Sequence, residues 1–362
     1  MTQRERRRTV GQLLLAGFHG HTIPVELRSL AREFDLGGLI FHARNVAEPA
    51  QVADLARQAQ ELSKTAPVWV ALGEAGGGVQ PALTAWPVPA TLGRADDLAL
   101  TRRFARALAR ELRAMGVTFA LGPRLDLLPR SADARIGERA LSDDPATVAR
   151  HAVAVIETLR EQGRPACAGQ FPGSGEATTH SKDELAIVDL PPDRLERVEW
   201  VPFMAAIEAG VDAVTIGHLL VPSLDERDPA TLSRAIVTGR LREQLGFAGV
   251  VITDDMDHAA IAARLEPGEA AVRALAAGCD GIVQCGGDVD RLCAAIEGIV
   301  RALEEESLRA ARVDDALKRQ YALKTRYLSA DARRLAPKVP ALREVIGSAE
   351  HAAIAERMRQ FA

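Results

Sequence analysis

Residues 100–123, LTRRFARALARELRAMGVTFALGP, hold two structural signals back to back. Over the first seventeen residues, Leu100, Phe104, Leu108 and Leu112 recur at helical spacing between arginines, and Gly116 marks a stop. The remaining seven, VTFALGP, are apolar up to a Gly-Pro pair, which is how a short buried strand reads. A helix that ends and at once feeds a buried strand is part of a repeating β/α pattern.

That pattern recurs along the chain. Seven further apolar runs read as strands: QLLLAGF (12–18), GGLIFHA (37–43), PVWVALG (67–73), PACAGQF (165–171), DAVTIGHLL (212–220), GVVITDD (249–255) and GIVQCGG (281–287). Helical patterns such as PATVARHAVAVIETLREQG (145–163) lie between them. Strands alternating with helices imply a parallel sheet, and eight such units predict an α/β fold closed into a (β/α)8 TIM-type barrel. The segment RVDDALKRQYALKTRYL (312–328) reads as a surface helix. The predicted organisation is a single-domain barrel over 1–330 with a C-terminal helical extension, 331–362, packed on it.

Composition narrows the function classes. The 362 residues are 47% hydrophobic and 26% charged with net charge -4, a globular balance that argues against a nucleic-acid partner. The basic opening RERRR (4–8) reads as a solvated terminus. The following VGQLLLAGF (10–18) is short, broken by Gly and Gln and without a small-residue cleavage site, so it reads as a first strand rather than a leader. No run approaches the ~20 apolar residues of a membrane span, so no membrane partner is expected. Cys167, Cys279, Cys285 and Cys293 form no C-x-x-C pair, which predicts neither a metal site nor a disulfide framework and fits a reducing cytoplasm.

In a barrel of this kind, functional groups sit just beyond the strands. Here those positions hold Gly73 and Glu74, Asp126, Arg139, Gln170, His218, and the pair Asp254 and Asp255. By position Asp254 fits a nucleophile or charge stabiliser, and equally a cap of the next helix. Arg139 fits a binder of carboxylate or phosphate, and equally an anchor for the SDDP turn.

Several segments in one order resemble the family 3 glycoside hydrolases, specifically the single-domain bacterial β-N-acetylhexosaminidases: GGLIFHARNV, GGGVQ, RAMGVTFALGPRLDL, IGERALSDDP, ACAGQFPGSGE, PFMAAIEAGVDAVTIGH, DPATLS and LGFAGVVITDDM. The resemblance runs from about residue 10 to about residue 330. It implies a barrel with one substrate pocket, a retaining double displacement on terminal β-linked N-acetylglucosamine, often a role in cell-wall recycling, and no metal or other cofactor. It places the nucleophile at Asp254.

The resemblance breaks where the chemistry lies. Against the family pattern KHFPGHGD, Gly169 and Gln170 stand for the sugar-binding Lys and His, and Ser174 for the second His. The family's D-S-H triplet, which carries the acid/base dyad, is here His180, Ser181 and Lys182. At the third strand D-Q-E-G-G-R becomes Gly73, Glu74, Ala75, Gly76, Gly77 and Gly78, which removes a carboxylate that grips sugar hydroxyls. Asp254, Asp255, Arg139 and His218 persist.

Hydrogen bonds to charged groups contribute about 1.5–3 kcal/mol each, and acid/base assistance about 10²–10⁴-fold in rate. Ordinary hexosaminidase activity is therefore not expected. Two readings follow: a pseudoenzyme acting as a binding or scaffolding module, or a glycoside hydrolase with a rebuilt site using Asp254 on a changed β-glycoside. In the second, His180 replaces the acid/base, oriented by Glu176 or Asp183; the plainer reading of His180 is a surface loop residue. Lys182 is a poor proton donor, Ser174 and Ser181 lack a G-x-S-x-G elbow, and GEAGGGVQ (73–80) lacks a phosphate-loop ending.

The expected partners are a carbohydrate or cell-wall-derived ligand and, for the module, a protein. The strand-end loops are expected to bring Asp254, Arg139, His218 and Gly73 around one cavity. The loop 173–183 is expected to be mobile or to sit away from Asp254.

Overall fold

Each of the eight apolar runs contains a strand: β1 (Leu14–Ala16), β2 (Gly38–Phe41), β3 (Trp69–Leu72), β4 (Phe119–Ala120), β5 (Cys167–Phe171), β6 (Ala213–Ile216), β7 (Val250–Asp255) and β8 (Gly281–Gln284). The computed structural model describes residues 3–63, 65–73, 82–128, 139–177, 179–328 and 339–362. All the strand pairs are parallel, in the order β4-β3-β2-β1-β8-β7-β6-β5, with registers such as Leu39 opposite Val70 and Val214 opposite Val251. β4 is short because its run continues into Gly122 and Pro123, and a proline has no amide hydrogen for the ladder. The backbone beyond it still closes the barrel: the amides of Cys167 and Gly169 donate to the carbonyls of Gly122 and Pro123 at 3.1 Å each.

Successive side chains of a strand point to opposite faces, and both faces are buried here. Leu15, Ile40, Trp69, Ala71, Phe119, Cys167, Ala213, Val250, Ile252 and Val283 belong to the inner cluster. Leu14, Leu39, Phe41, Val70, Leu72, Val214, Ile216, Val251 and Ile282 belong to the outer cluster, against the helices.

Both ends of this chain differ from the sequence reading. The basic opening is part of a helix, Gln3–Gly11, and only Leu14–Ala16 of the following apolar run is strand. Arg6 and Arg7 pair with Glu304 and Glu297 of the Val289–Glu304 helix at 3.3 and 2.7 Å, so the segment is docked rather than a free terminus. The predicted surface helix, Ala310–Tyr327, instead stoppers the barrel at the N-terminal ends of the strands. Leu323, Leu328 and Tyr327 pack on the inner cluster. Trp69 Nε1 donates to Gln320 Oε1 at 3.2 Å, and the Tyr327 hydroxyl donates to Asp212 at 2.9 Å. Helices Val339–Val345 and Ala349–Arg359 follow; the second lies on the Leu98–Ala114 helix, with His351 Nδ1 2.6 Å from Glu111 Oε1. No described helix is long and apolar enough to cross a membrane.

Lys324 marks the depth of the stopper. Its ammonium, 3% exposed, donates to Gln12 Oε1 and to the Gly37 carbonyl at 2.9 Å each. Burial pulls its pKa from 10.5 down to about 7, partly opposed by Asp35. Between those two values the unfolded chain binds more protons than the folded one, so stability gains from this group as pH rises from about 7 toward 10.5. Urea unfolding followed from pH 7 to 10 should show a rising contribution in the wild type that is absent in Lys324→Met. Parallel pH profiles would mean that Lys324 does not titrate in this window.

Candidate functional site

Asp254 is the next-to-last residue of β7, where the strand leaves the barrel. Its Oδ1 accepts the Asp255 amide at 2.9 Å, and its Oδ2 accepts Gln170 Nε2, from the end of β5, at 2.9 Å. Burial raises the carboxyl's pKa, but the His258 and His218 side chains, the Asp255 amide and Arg124 outweigh it and hold it below the ordinary carboxylate value. Asp254 is therefore kept ionised.

The other carboxylates play different parts. Asp255 turns Oδ1 to the amides of Asp257 and Cys285, at 3.1 and 2.9 Å, and Oδ2 toward His258 Nε2 at 3.8 Å. Burial pushes its pKa up, against the pull of His258. Asp126 is 1% exposed; it pairs with Arg124 and accepts the Ser174 amide at 2.6 Å. It thus fixes the neighbouring strand end to the start of the 173–183 loop. His218 is fully buried, with Nδ1 2.8 Å from Thr231 Oγ1 and Nε2 2.9 Å from the Asp255 carbonyl. Burial drives its pKa down, against the pull of Asp254 and the Asp255 carbonyl.

One small cavity, about 60 Å³, gathers Asp254, Arg139, Gln170, His180, Ser181, Lys182, Arg124 and His258. His218 adjoins it, within 4.8 Å of Asp254 and His258 by ligand atoms. Gly73 does not join them: it packs on His42. Glu74 lies outside the described residues. A shallow depression of about 570 Å³, lined by Arg102, Arg106, Glu157, Arg160 and Glu161, lies on the outer helices and contains none of the strand-end groups.

The loop expected away from Asp254 is instead folded over it. Gly173, Ser174, Gly175 and Ala177 are buried, and a side chain at Gly175 would meet the Leu127 carbonyl at 2.7 Å. Further along, the Ser181 and Lys182 carbonyls accept the Ala260 and Ala259 amides at 3.1 and 3.4 Å. Ser181 Oγ lies 3.4 Å from His258 Nδ1. These contacts anchor the loop to the turn after β7. His180 lines the cavity, but its Nδ1 accepts the Lys182 amide at 3.2 Å, while Glu176 faces Arg194 at 4.0 Å.

Two residues of the site escaped the sequence reading. Arg124 follows the Gly-Pro of the fourth strand run and bridges Asp126, Ser174 Oγ at 3.1 Å and Gln170 Oε1 at 3.5 Å. His258 stands four residues after Asp254, with Nδ1 3.7 Å from Asp254 Oδ2. A charged residue at a strand end and a His one turn beyond a strand-end carboxylate were the available signals.

Polar loops gathered over carboxylates at one rim are the arrangement of a barrel enzyme's active face. The chain belongs to glycosyl hydrolase family 3: the family's N-terminal domain matches residues 6–323. It is 37% identical over 266 residues to a beta-hexosaminidase of Thiobacillus denitrificans, covering 69% of this chain and 71% of that protein. Among solved structures it is similar to a family 3 β-N-acetylglucosaminidase of Paenibacillus sp. FPU-7, with TM-score 0.88, 32% identity and coverage of 98% of this chain and 68% of that one. It is also similar to a fungal multi-domain family 3 β-N-acetylglucosaminidase, with TM-score 0.92 and 27% identity, matching 97% of this chain but spanning only 42% of that one.

Arg124 gives a direct test of how the mouth is held together. Replacing it by Met strands the buried Asp126 carboxylate, and breaking a buried pair from one side costs about 3–5 kcal/mol. Arg124→Met should lose about 3 kcal/mol in urea unfolding, and Arg124→Met/Asp126→Leu should recover part of that loss. A single variant within about 0.5 kcal/mol of wild type would show that the pair is not held as described.

Proposed function

We propose that this chain keeps the hexosaminidase barrel as a carbohydrate-binding or scaffolding module and does not carry out ordinary hexosaminidase turnover. The observation that supports this most is that, among the described residues, the cavity beside Asp254 is small and its polar groups are bonded to one another. The cavity of about 60 Å³ is far below the roughly 300–1,000 Å³ of small-molecule sites. A side chain at Gly169, where the family pattern has Lys, would begin 2.5 Å from Thr215 Oγ1. Ser174, at the family's second His, is bound to Arg124. Gln170, at the family's first His, is bound to Asp254 itself. Replaced groups and refilled space go together, which fits a site remodelled away from the family's sugar.

A protein partner fits the module reading. A reducing, cytoplasmic setting fits its four cysteines, all of them free thiols. The second reading, a glycoside hydrolase with a rebuilt site, draws on one observation: Asp254 is held ionised, as a nucleophile must be.

An aryl β-N-acetylglucosaminide separates the two, because its leaving group needs little protonation and the assay bypasses the missing acid. Purified protein should release no aryl alcohol above a buffer blank. Clear turnover that disappears in Asp254→Asn would establish the rebuilt enzyme in its place.

A further inference from the structure

We propose that Asp254, His258 and His218 form a binding site for a divalent transition-metal ion, with zinc the best match. One carboxylate oxygen and one ring nitrogen from each histidine lie within 4.8 Å of one another, and Asp254 Oδ2 is 3.7 Å from His258 Nδ1. The two imidazoles stand at 90° with centroids 6.1 Å apart, so they do not stack. Zinc at ~2.0–2.1 Å from each tetrahedral ligand sets those ligands about 3.3 Å apart, so small side-chain shifts of about 1 Å complete the site. Two imidazoles and one carboxylate with a position left open is an established zinc donor set.

The groups behind the ligands point the same way. Thr231 Oγ1 donates its one proton to the Gly217 carbonyl at 3.0 Å. His218 Nδ1 lies 2.8 Å from that hydroxyl and Nε2 2.9 Å from the Asp255 carbonyl oxygen; with the ring proton on Nδ1, Nε2 is the nitrogen open to a metal. On the other side, the Asp255 carboxylate lies 3.8 Å from His258 Nε2, where it would hold that nitrogen once Nδ1 is on a metal. Metal-bound histidines usually have a carboxylate or carbonyl holding the far ring nitrogen in this way. The Asp254 carboxylate is itself held by Gln170 and the Asp255 amide. Arg124, Arg139 and Lys182 line the same cavity and favour an anion, such as hydroxide, at the open position.

The test is metal uptake by the full chain, with no sugar in the readout, so its outcome is independent of the module reading. Protein stripped with a chelator is titrated calorimetrically with zinc chloride, and separately with cobalt(II) while its visible spectrum is recorded. Wild type should take up one zinc per chain and give the strong visible bands of tetrahedral cobalt. His258→Ala should weaken zinc binding by at least about 100-fold, and Thr231→Val, which removes the hydroxyl beside His218 Nδ1 and touches no proposed ligand atom, by about 10-fold. No stoichiometric uptake by wild type, or equal uptake by His258→Ala, would overturn the proposal. Should His258→Ala fail to fold, the wild-type cobalt spectrum decides alone, since an octahedral, water-like spectrum is equally fatal to it.

Discussion

The bottom of the barrel has to be sealed without stranding the polar groups where the strands begin, and the Ala310–Tyr327 helix meets both demands. Its apolar residues fill the opening, while its polar ones reach the strand starts. Asp280, fully buried before β8, accepts Arg242 Nη2 at 2.6 Å and the Val251 amide at 2.9 Å, and it pairs with Arg312 and Arg319 of the stopper helix. Gln320, Lys324 and Tyr327 serve β3, β1–β2 and β6 in turn. A buried carboxylate shared by three guanidiniums is stable only when every partner stays in place. The stopper is therefore part of the barrel, and the strand order above it depends on this polar floor.

At the opposite rim the strand ends are tied to one another. Arg124, Asp126, Ser174 and Gln170 form one connected network that runs from β4 to β5 and ends on Asp254. Each link pairs one rim group with another, so these groups are satisfied internally. That internal satisfaction explains why a loop of glycines and small polar residues is packed down instead of loose. Its chain atoms have partners: the Ser174 amide on Asp126, and the Ser181 and Lys182 carbonyls on the amides after β7.

The barrel was legible in the sequence because both faces of its strands are buried, which makes them continuous apolar runs with no competing pattern. Asp254, Gln170 and Arg139 were legible because a strand end is a fixed address in this fold. The stopper was not. Read as a wheel of residues, RVDDALKRQYALKTRYL gives its charges to water, yet Lys324 and Gln320 are buried and bonded to groups hundreds of residues away. The opening helix was missed for a related reason: Val10 and Leu13 are buried on either side of its end, so the apolar run does not reveal where helix gives way to strand. Arg124 and His258 each matter through a partner from another strand or loop, and nothing in their local sequence names that partner.

The polar floor also sets an order of events on the ribosome. Lys324 bonds Gln12 across 312 residues of chain. At about 5–20 residues per second, roughly 15–60 s separate the synthesis of these partners. Until the stopper is made, the indole N–H of Trp69 and the carbonyl of Gly37 lack the partners that Gln320 and Lys324 give them in the finished fold. The segment whose composition looks most dispensable is thus the one that supplies the last partners of the barrel's base.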